Sequence, residues 1–353
     1  MMLHRVFSGD LPRNRLLTVM LLAIAVALAF APFVFPGAKA LNVAAKICIF
    51  IVLVASFDLL LGYTGIVSFA HTMFFGIGTY GVSIALARMG PSWPAVAAGA
   101  GGALALSLAL SLLIGLFSLR VKAIFYAMIT LAVASAFQTL ASQLSEITGG
   151  EDGLNFKVPE MLTPGFSLSE QPFLGVSPDG KLISYYLVFA ATVALFLVML
   201  RIVNSPFGRV LQAIRENAFR AEALGYRTVV YRTASNVLSA GFATLAGALL
   251  ALWLRYNGPD TSLSFEIMID ILLMVVIGGM GTMYGAVVGA ALFIVAQNYL
   301  QDLMRIASDA VEGVPLLPDL VHPDRWLLWL GILFILSVYR FPAGIVGKLR
   351  AMK

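Results

Sequence analysis

About ten segments of the chain are apolar for long enough to cross a bilayer, which takes about 20 residues of helix. They fall near 16–36, 41–61, 66–88, 93–119, 123–143, 183–203, 233–255, 266–283, 284–302 and 325–341. Gly278-Gly279-Met280-Gly281 interrupts the eighth and ninth of these. The pattern predicts an all-α polytopic membrane protein with some spans broken at Gly-rich motifs.

One stretch departs from it. Ser205–Tyr226 reads SPFGRVLQAIRENAFRAEALGY, and its apolar residues Phe207, Val210, Leu211, Ile214, Ala218 and Ala221 recur at helical spacing. Ser205 suits an N-cap, Pro206 the first helical position and Gly225 a left-handed terminator. The spacing predicts one amphipathic helix of about 18 residues, about 27 Å long. Arg209, Arg215, Glu216, Arg220 and Glu222 keep it out of hydrocarbon, so it lies on the membrane face or against a partner.

The 23 Lys and Arg residues orient this arrangement. With a cytoplasmic N-terminus, fifteen fall inside: Arg5, Arg13 and Arg15, the Arg120–Lys122 turn, six between Arg201 and Arg232, and four from Arg340 onward. The other eight, Lys39 and Lys46 among them, fall outside or at outer span ends. That asymmetry follows the positive-inside rule. Both termini and a 204–232 coupling loop are then cytoplasmic, and polar loops 144–182 and 303–324 are periplasmic. Loops of that length carry docking or access roles or serve as passive connectors; the sequence leaves both open. The whole of 1–353 reads as a single transmembrane domain.

Composition agrees: 60% of residues are hydrophobic, 12% are charged and the mean hydropathy is +0.93, where globular domains carry about 25% charged residues. The basic residues are scattered, which argues against nucleic-acid binding. Cys48 stands alone, excluding intramolecular disulfides. The N-terminus imitates a signal peptide, but the apolar run Leu16–Phe35 exceeds an ordinary signal core and reads as a retained span.

Catalytic and nucleotide motifs are missing. No G-x-x-x-x-G-K-[ST], H-E-x-x-H or G-x-S-x-G occurs, and His4, His71 and His322 lie far apart. The sequence therefore predicts no enzyme, no metal and no cofactor of its own. Intramembrane polar residues are costly and so are candidate sites: Asp58, His71 and Asp270, with Thr130, Gln138 and Gln297 adding hydrogen-bonding capacity. Glycine is dense from Gly62 to Gly81 and again along Gly278, Gly279, Gly281, Gly285 and Gly289. Such ridges let helix backbones approach; they also break helices where freed backbone groups line a path. Both readings stand together.

Four motifs carry a family resemblance. Leu61-Gly62-Tyr63-Thr64-Gly65-Ile66-Val67-Ser68 with His71, Phe74-Phe75-Gly76-Ile77-Gly78 and Tyr80 is similar to the N-terminal signature of permeases in branched-chain amino acid ABC importers. Thr148-Gly149-Gly150-Glu151-Asp152-Gly153-Leu154 matches their outer loop. Pro206-Phe207-Gly208-Arg209 through Ala221-Glu222-Ala223-Leu224-Gly225 resembles their coupling segment, and Val276–Thr282 with Tyr284-Gly285-Ala286 resembles their late Gly-rich motif. The match spans roughly 41–302 and is closest to the longer of the two permease types. The coupling segment lacks the fuller E-A-A-x-x-x-G spacing of other importers.

The resemblance implies a permease subunit of the bacterial inner membrane, a second homologous permease, two cytoplasmic ATPase subunits that hydrolyse ATP, and a periplasmic solute-binding protein. The candidate substrate-path residues are Thr64, Ser68, His71, Thr130, Asp270, Gly278, Gly279 and Gly281. The candidate coupling residues are Phe207, Arg209, Leu211, Ile214, Arg215, Glu216, Arg220, Glu222, Leu224 and Gly225, the apolar stripe seating the helix in an ATPase groove. Leucine, isoleucine and valine are the implied cargo, with other amino acids, urea and amides as alternatives. The rival reading is an ion-coupled secondary transporter using Asp58, His71 or Asp270 as a relay.

Overall fold

The computed structural model describes residues 14–34, 37–118, 123–167, 178–310 and 322–352. The long helices are α1 Arg15–Val34, α2 Ala38–Thr64, α3 His71–Met89, α4 Trp93–Ser118, α5 Ala123–Gln143 and α6 Gly180–Val203. Two short helices follow, α7 Pro206–Glu216 and α8 Ala218–Ala223. Then come α9 Thr228–Leu254, α10 Phe265–Gly278, α11 Met283–Ala310, α12 Trp326–Arg340 and α13 Gly344–Ala351. Among the described residues, nine helices or helix pairs are long and apolar enough to cross a membrane, so the protein is an all-α, multi-pass membrane protein.

The third predicted span is the exception among the ten. It was expected at 66–88, but Gly65–Ala70 is not helical and α3 begins only at His71. Gly65 takes a left-handed conformation (φ +71°) and closes α2 with its N–H on the Leu61 carbonyl. The chain then runs back alongside α2, since His71 packs beside Ser56 and Phe57. Ser56 is about 12 Å below the end of α2 at helical rise. A re-entrant segment of this kind is tolerated only where protein surrounds it, and Ile66, Ser68 and Ala70 are buried.

Helix α2 is the axis of the bundle. It is apolar on every side and buried nearly throughout, whereas α1, α4, α5 and α6 bury only a stripe. It touches α9, α11, α6 and α10. Helices α3 and α9 cross most closely, through reciprocal glycines. A Cβ on Gly78 would overlap the Thr244 backbone, and one on Gly247 the Phe75 backbone. Gly285 and Gly289 pack against α10 in the same way, Gly289 meeting Met274 and Gly278 meeting Gly285, whereas Gly281 faces Gly62 at the end of α2. Apolar tails in lipid give no net drive to helix association, so close packing and interhelical hydrogen bonds supply it. Asn236 on α9 is the main polar tie: it donates to the Ser111 carbonyl on α4 (2.8 Å) and accepts from the Tyr126 hydroxyl on α5 (3.1 Å).

The predicted loops are more ordered than their composition suggests. Residues 204–232 shorten to 204–227, because α9 starts at Thr228. The 303–324 loop loses its first part to α11, which continues to Ala310; residues 311–321 lie outside the described residues. Within 144–182, Leu154–Asn155 pairs antiparallel with Tyr256–Asn257. Phe156, Val158 and Leu162 pack on the ends of α3, α4 and α9. The glycines of the Thr148–Leu154 motif make this turn possible: Gly149, Gly150 and Gly153 all have positive φ. Residues 168–177 lie outside the described residues.

Candidate translocation and coupling site

The amphipathic segment is two helices rather than one. Ser205 caps α7 as expected, accepting from Gly208 N–H, and Gly225 is left-handed (φ +93°). Asn217, however, is extended (φ −158°), and its side chain accepts from Arg220 N–H to cap α8. Asn competes with the helix for local backbone donors, and here it divides the run at about two-thirds of its length. Replacing Asn217 by alanine should cost α8 about 1 kcal/mol. Hydrogen exchange of the 218–224 amides should accelerate accordingly; unchanged exchange would show that Asn217 is not what holds α8.

The stripe is also occupied differently. Leu211, Ile214 and Ala221 are buried against the chain's own bundle, where α7 contacts α2, α6 and α9. Phe207 stacks on Tyr231 with ring centroids 5.8 Å apart. The apolar residues therefore seat α7 on the membrane domain and are not free for a groove. What faces outward is Arg209, Glu216, Arg220 and Glu222, with Phe219 and Leu224 exposed at 82% and 74%. Phe219 was missed by the sequence reading because it lies off the stripe; a large aromatic on the polar side of an amphipathic helix was the available signal.

Arg215 links this segment to both helix breaks. Its guanidinium donates to the Gly62 carbonyl in the last turn of α2. Gly281 lies so close that a Cβ there would be 2.7 Å from the same guanidinium nitrogen. Both oxygens of Asp58 accept from Gly281 N–H, at 2.9 and 3.1 Å. The C-terminus of α2 thus meets a cation and the N-terminus of α11 a carboxylate, the pairing that helix dipoles and unsatisfied end groups favour. Glycine is required at the contact itself. A Cβ on Gly62 would strike Asp58 and Gly281, and Gly281 has φ +77°. The α13 tail closes the other side, Gly344 abutting Gly279.

The remaining path residues do not gather at that junction. His71 Nε2 is 2.8 Å from Ser56 Oγ and 3.3 Å from the Leu53 carbonyl. Ser56 directs its own proton to Leu53, and Ser239 donates to the Ser56 carbonyl. His71 is therefore held inside a satisfied hydrogen-bond cluster. Thr130 accepts from Phe69 N–H (3.0 Å) and pins the re-entrant segment to α5. Ser68 lies buried in that segment, and Thr64 donates back to the Leu60 carbonyl. Asp270 is elsewhere: it lines a cavity of about 710 Å³ between α2, α9, α10 and α11, near the bundle end opposite α7. Among the described residues, no group of three or more His, Cys, Asp or Glu side chains could hold a metal ion.

The chain is a multi-pass bundle with two helix breaks that meet beneath an amphipathic surface pair, and its sequence places it among membrane transport permeases. The chain belongs to the family described as branched-chain amino acid transport system / permease component, whose sequence profile matches residues 39–338. It is 27% identical over 333 residues to the high-affinity branched-chain amino acid transport system permease protein LivM of Salmonella typhimurium, covering 91% of this chain and 76% of that one. It is 26% identical, with the same coverage, to LivM of Escherichia coli. The corresponding permease protein BraD of Pseudomonas aeruginosa is 25% identical over 304 residues, covering 83% of this chain and 89% of its own. No solved structure matches the chain significantly.

Proposed function

We propose that this chain is the translocating subunit of an ATP-driven importer of branched-chain amino acids in the bacterial inner membrane. It works beside a second homologous permease, two cytoplasmic ATPases that bind and hydrolyse the ATP, and a periplasmic binding protein. The chain itself binds no nucleotide or other cofactor. The 204–227 segment and both termini face the cytoplasm, as the basic-residue asymmetry argues.

The observation that carries the mechanism is Arg215. One residue at the end of a surface helix holds the backbone of α2 at Gly62 and packs against Gly281, which Asp58 in turn holds, so a push on α7 reaches both breaks through a single side chain. Because Leu211 and Ile214 fix α7 to the bundle, the ATPase grips the outer face, with Phe219 and Leu224 as apolar anchors and Arg209, Glu216, Arg220 and Glu222 setting orientation. Movement of α7 then shifts the ends of α2 and α11 relative to α3 and α10 and alternates access.

Co-purification tests this. Wild-type permease should bring down an ATPase from membranes, and Phe219→Glu/Leu224→Glu should lose it while eluting as a folded, monodisperse protein. Transport that follows an ion gradient, with no ATPase bound to the wild type, would overturn the reading in favour of a secondary transporter.

A further inference from the structure

The cavity that contains Asp270 holds a feature that coupling does not use. Lys46 on α2 donates to Gln297 Oε1 on α11 (3.1 Å), and Gln297 Nε2 donates to Asp270 Oδ2 on α10 (3.2 Å). An ammonium and a carboxylate thus face each other across one neutral carboxamide, which presents its acceptor to the cation and its donors to the anion. An α-amino acid has the same polarity. Its carboxylate accepts where Gln297 Oε1 accepts, and its ammonium donates where Gln297 Nε2 donates. From these contacts we infer that Lys46, Gln297 and Asp270 form the head-group site for a zwitterionic α-amino acid on its way through the permease, with Gln297 holding the two charges until cargo arrives.

The surroundings fit such a cargo. Phe50, Val43, Leu250, Trp253 and Ile267 line the same cavity and give an aliphatic side chain an apolar wall. The Lys46 ammonium sits 5.5 Å from the Phe50 ring centroid, which fixes its direction. The volume of about 710 Å³ is in the range of small-molecule sites, about 300–1,000 Å³. Lys39, Asp260 and Glu266 stand at the cavity's outer end, so the site opens away from α7, toward the side from which an importer receives cargo. A pure anion such as a lipid phosphate would meet Asp260, Glu266 and Asp270, and a pure cation would meet Lys46, Lys39 being paired with Asp302. A zwitterion is the ligand for which both sets of charges are favourable. Gln297 is a flexible side chain on a helix surface, and its rotation exposes both charges without moving backbone.

The inference rests on the importer reading, and the experiment separates the two. The assembled transporter is reconstituted in proteoliposomes, and ATP-driven leucine uptake is measured for wild type, Lys46→Met and Asp270→Asn. Binding of radiolabelled leucine to the purified assembly without binding protein is measured with two competitors, isopentylamine and 4-methylpentanoate. Each substitution should weaken leucine binding by about tenfold or more, the scale of one charge-assisted hydrogen bond. Asp270→Asn should abolish competition by the amine and spare that by the acid; Lys46→Met should do the reverse. In the wild type, leucine should also slow labelling of Lys46 by an amine reagent, a readout that needs no variant to fold. Uptake and binding unchanged in both variants, or Lys46 labelling indifferent to leucine, overturns the head-group site and leaves the importer reading intact. No ATP-driven uptake of any amino acid by the wild type overturns the importer reading itself, whatever the variants do.

Discussion

Gly247→Leu should leave little or no permease in the membrane. Helices α3 and α9 cross with backbone against backbone, Gly247 on Phe75 and Gly78 on Thr244. A Cβ on Gly247 would also stand 2.9 Å from the Phe75 carbonyl carbon and 3.0 Å from Thr79 N, so no flexible side chain can move aside. Overpacking by single methylenes costs about 1–3 kcal/mol. A leucine wedged into a backbone contact costs more, against a total stability of about 5–15 kcal/mol. Gly101→Leu is the control, because nothing lies within 4 Å of its Cβ position. Yield and melting temperature after detergent extraction decide the matter. Gly247→Leu protein that accumulates and melts like Gly101→Leu would mean the crossing is looser than the structure has it.

The second large effect falls on the junction of the two breaks. Asp58→Ala should destabilise the permease by about 1–3 kcal/mol, because it leaves the part-buried Gly281 N–H without its acceptor. Asp58→Asn, which keeps one acceptor oxygen, should cost less. On the coupling proposed above, Arg215→Met should leave the ATPase bound, since Phe219 and Leu224 are intact, but should raise the ATP hydrolysed per leucine imported. Asp58 holds Gly281 and Arg215 holds Gly62, the two glycines that meet at the junction. Their combined effect on melting should therefore differ from the sum of the single effects, as residues in one network do. Strict additivity, together with unchanged coupling in Arg215→Met, would show that the arginine merely decorates the surface.

The caps of the surface helix were legible because capping is local. Ser205 needs only the amides within one turn, and Gly225 needs only its own φ. Asn217 was equally local, yet its side chain competes with the continuous apolar period around it, and period prevailed in the sequence reading. The breaks at Gly65–Ala70 and Gly279–Thr282 were legible as glycine density, whereas their depth was not. Whether a glycine run ends a helix at the surface or turns the chain back into the bundle depends on partners such as Thr130 for Phe69, sixty-one positions away. Lys46 shows the same limit. Within an apolar run it reads as a topology charge near an outer span end; its meaning comes from Gln297 and Asp270 on two other helices.

The sequence by itself determined the class: the apolar periods, the charge asymmetry and four ordered motifs specify a multi-pass permease, because the bilayer imposes length and polarity on each span separately. Tertiary structure alone decided which polar groups meet. It put Arg215, Gly62, Asp58 and Gly281 at one point, shut His71 into the core and turned the amphipathic stripe inward. In hydrocarbon, a buried charge or open carbonyl is tolerated only beside its complement, and those complements lie on helices far apart in the chain.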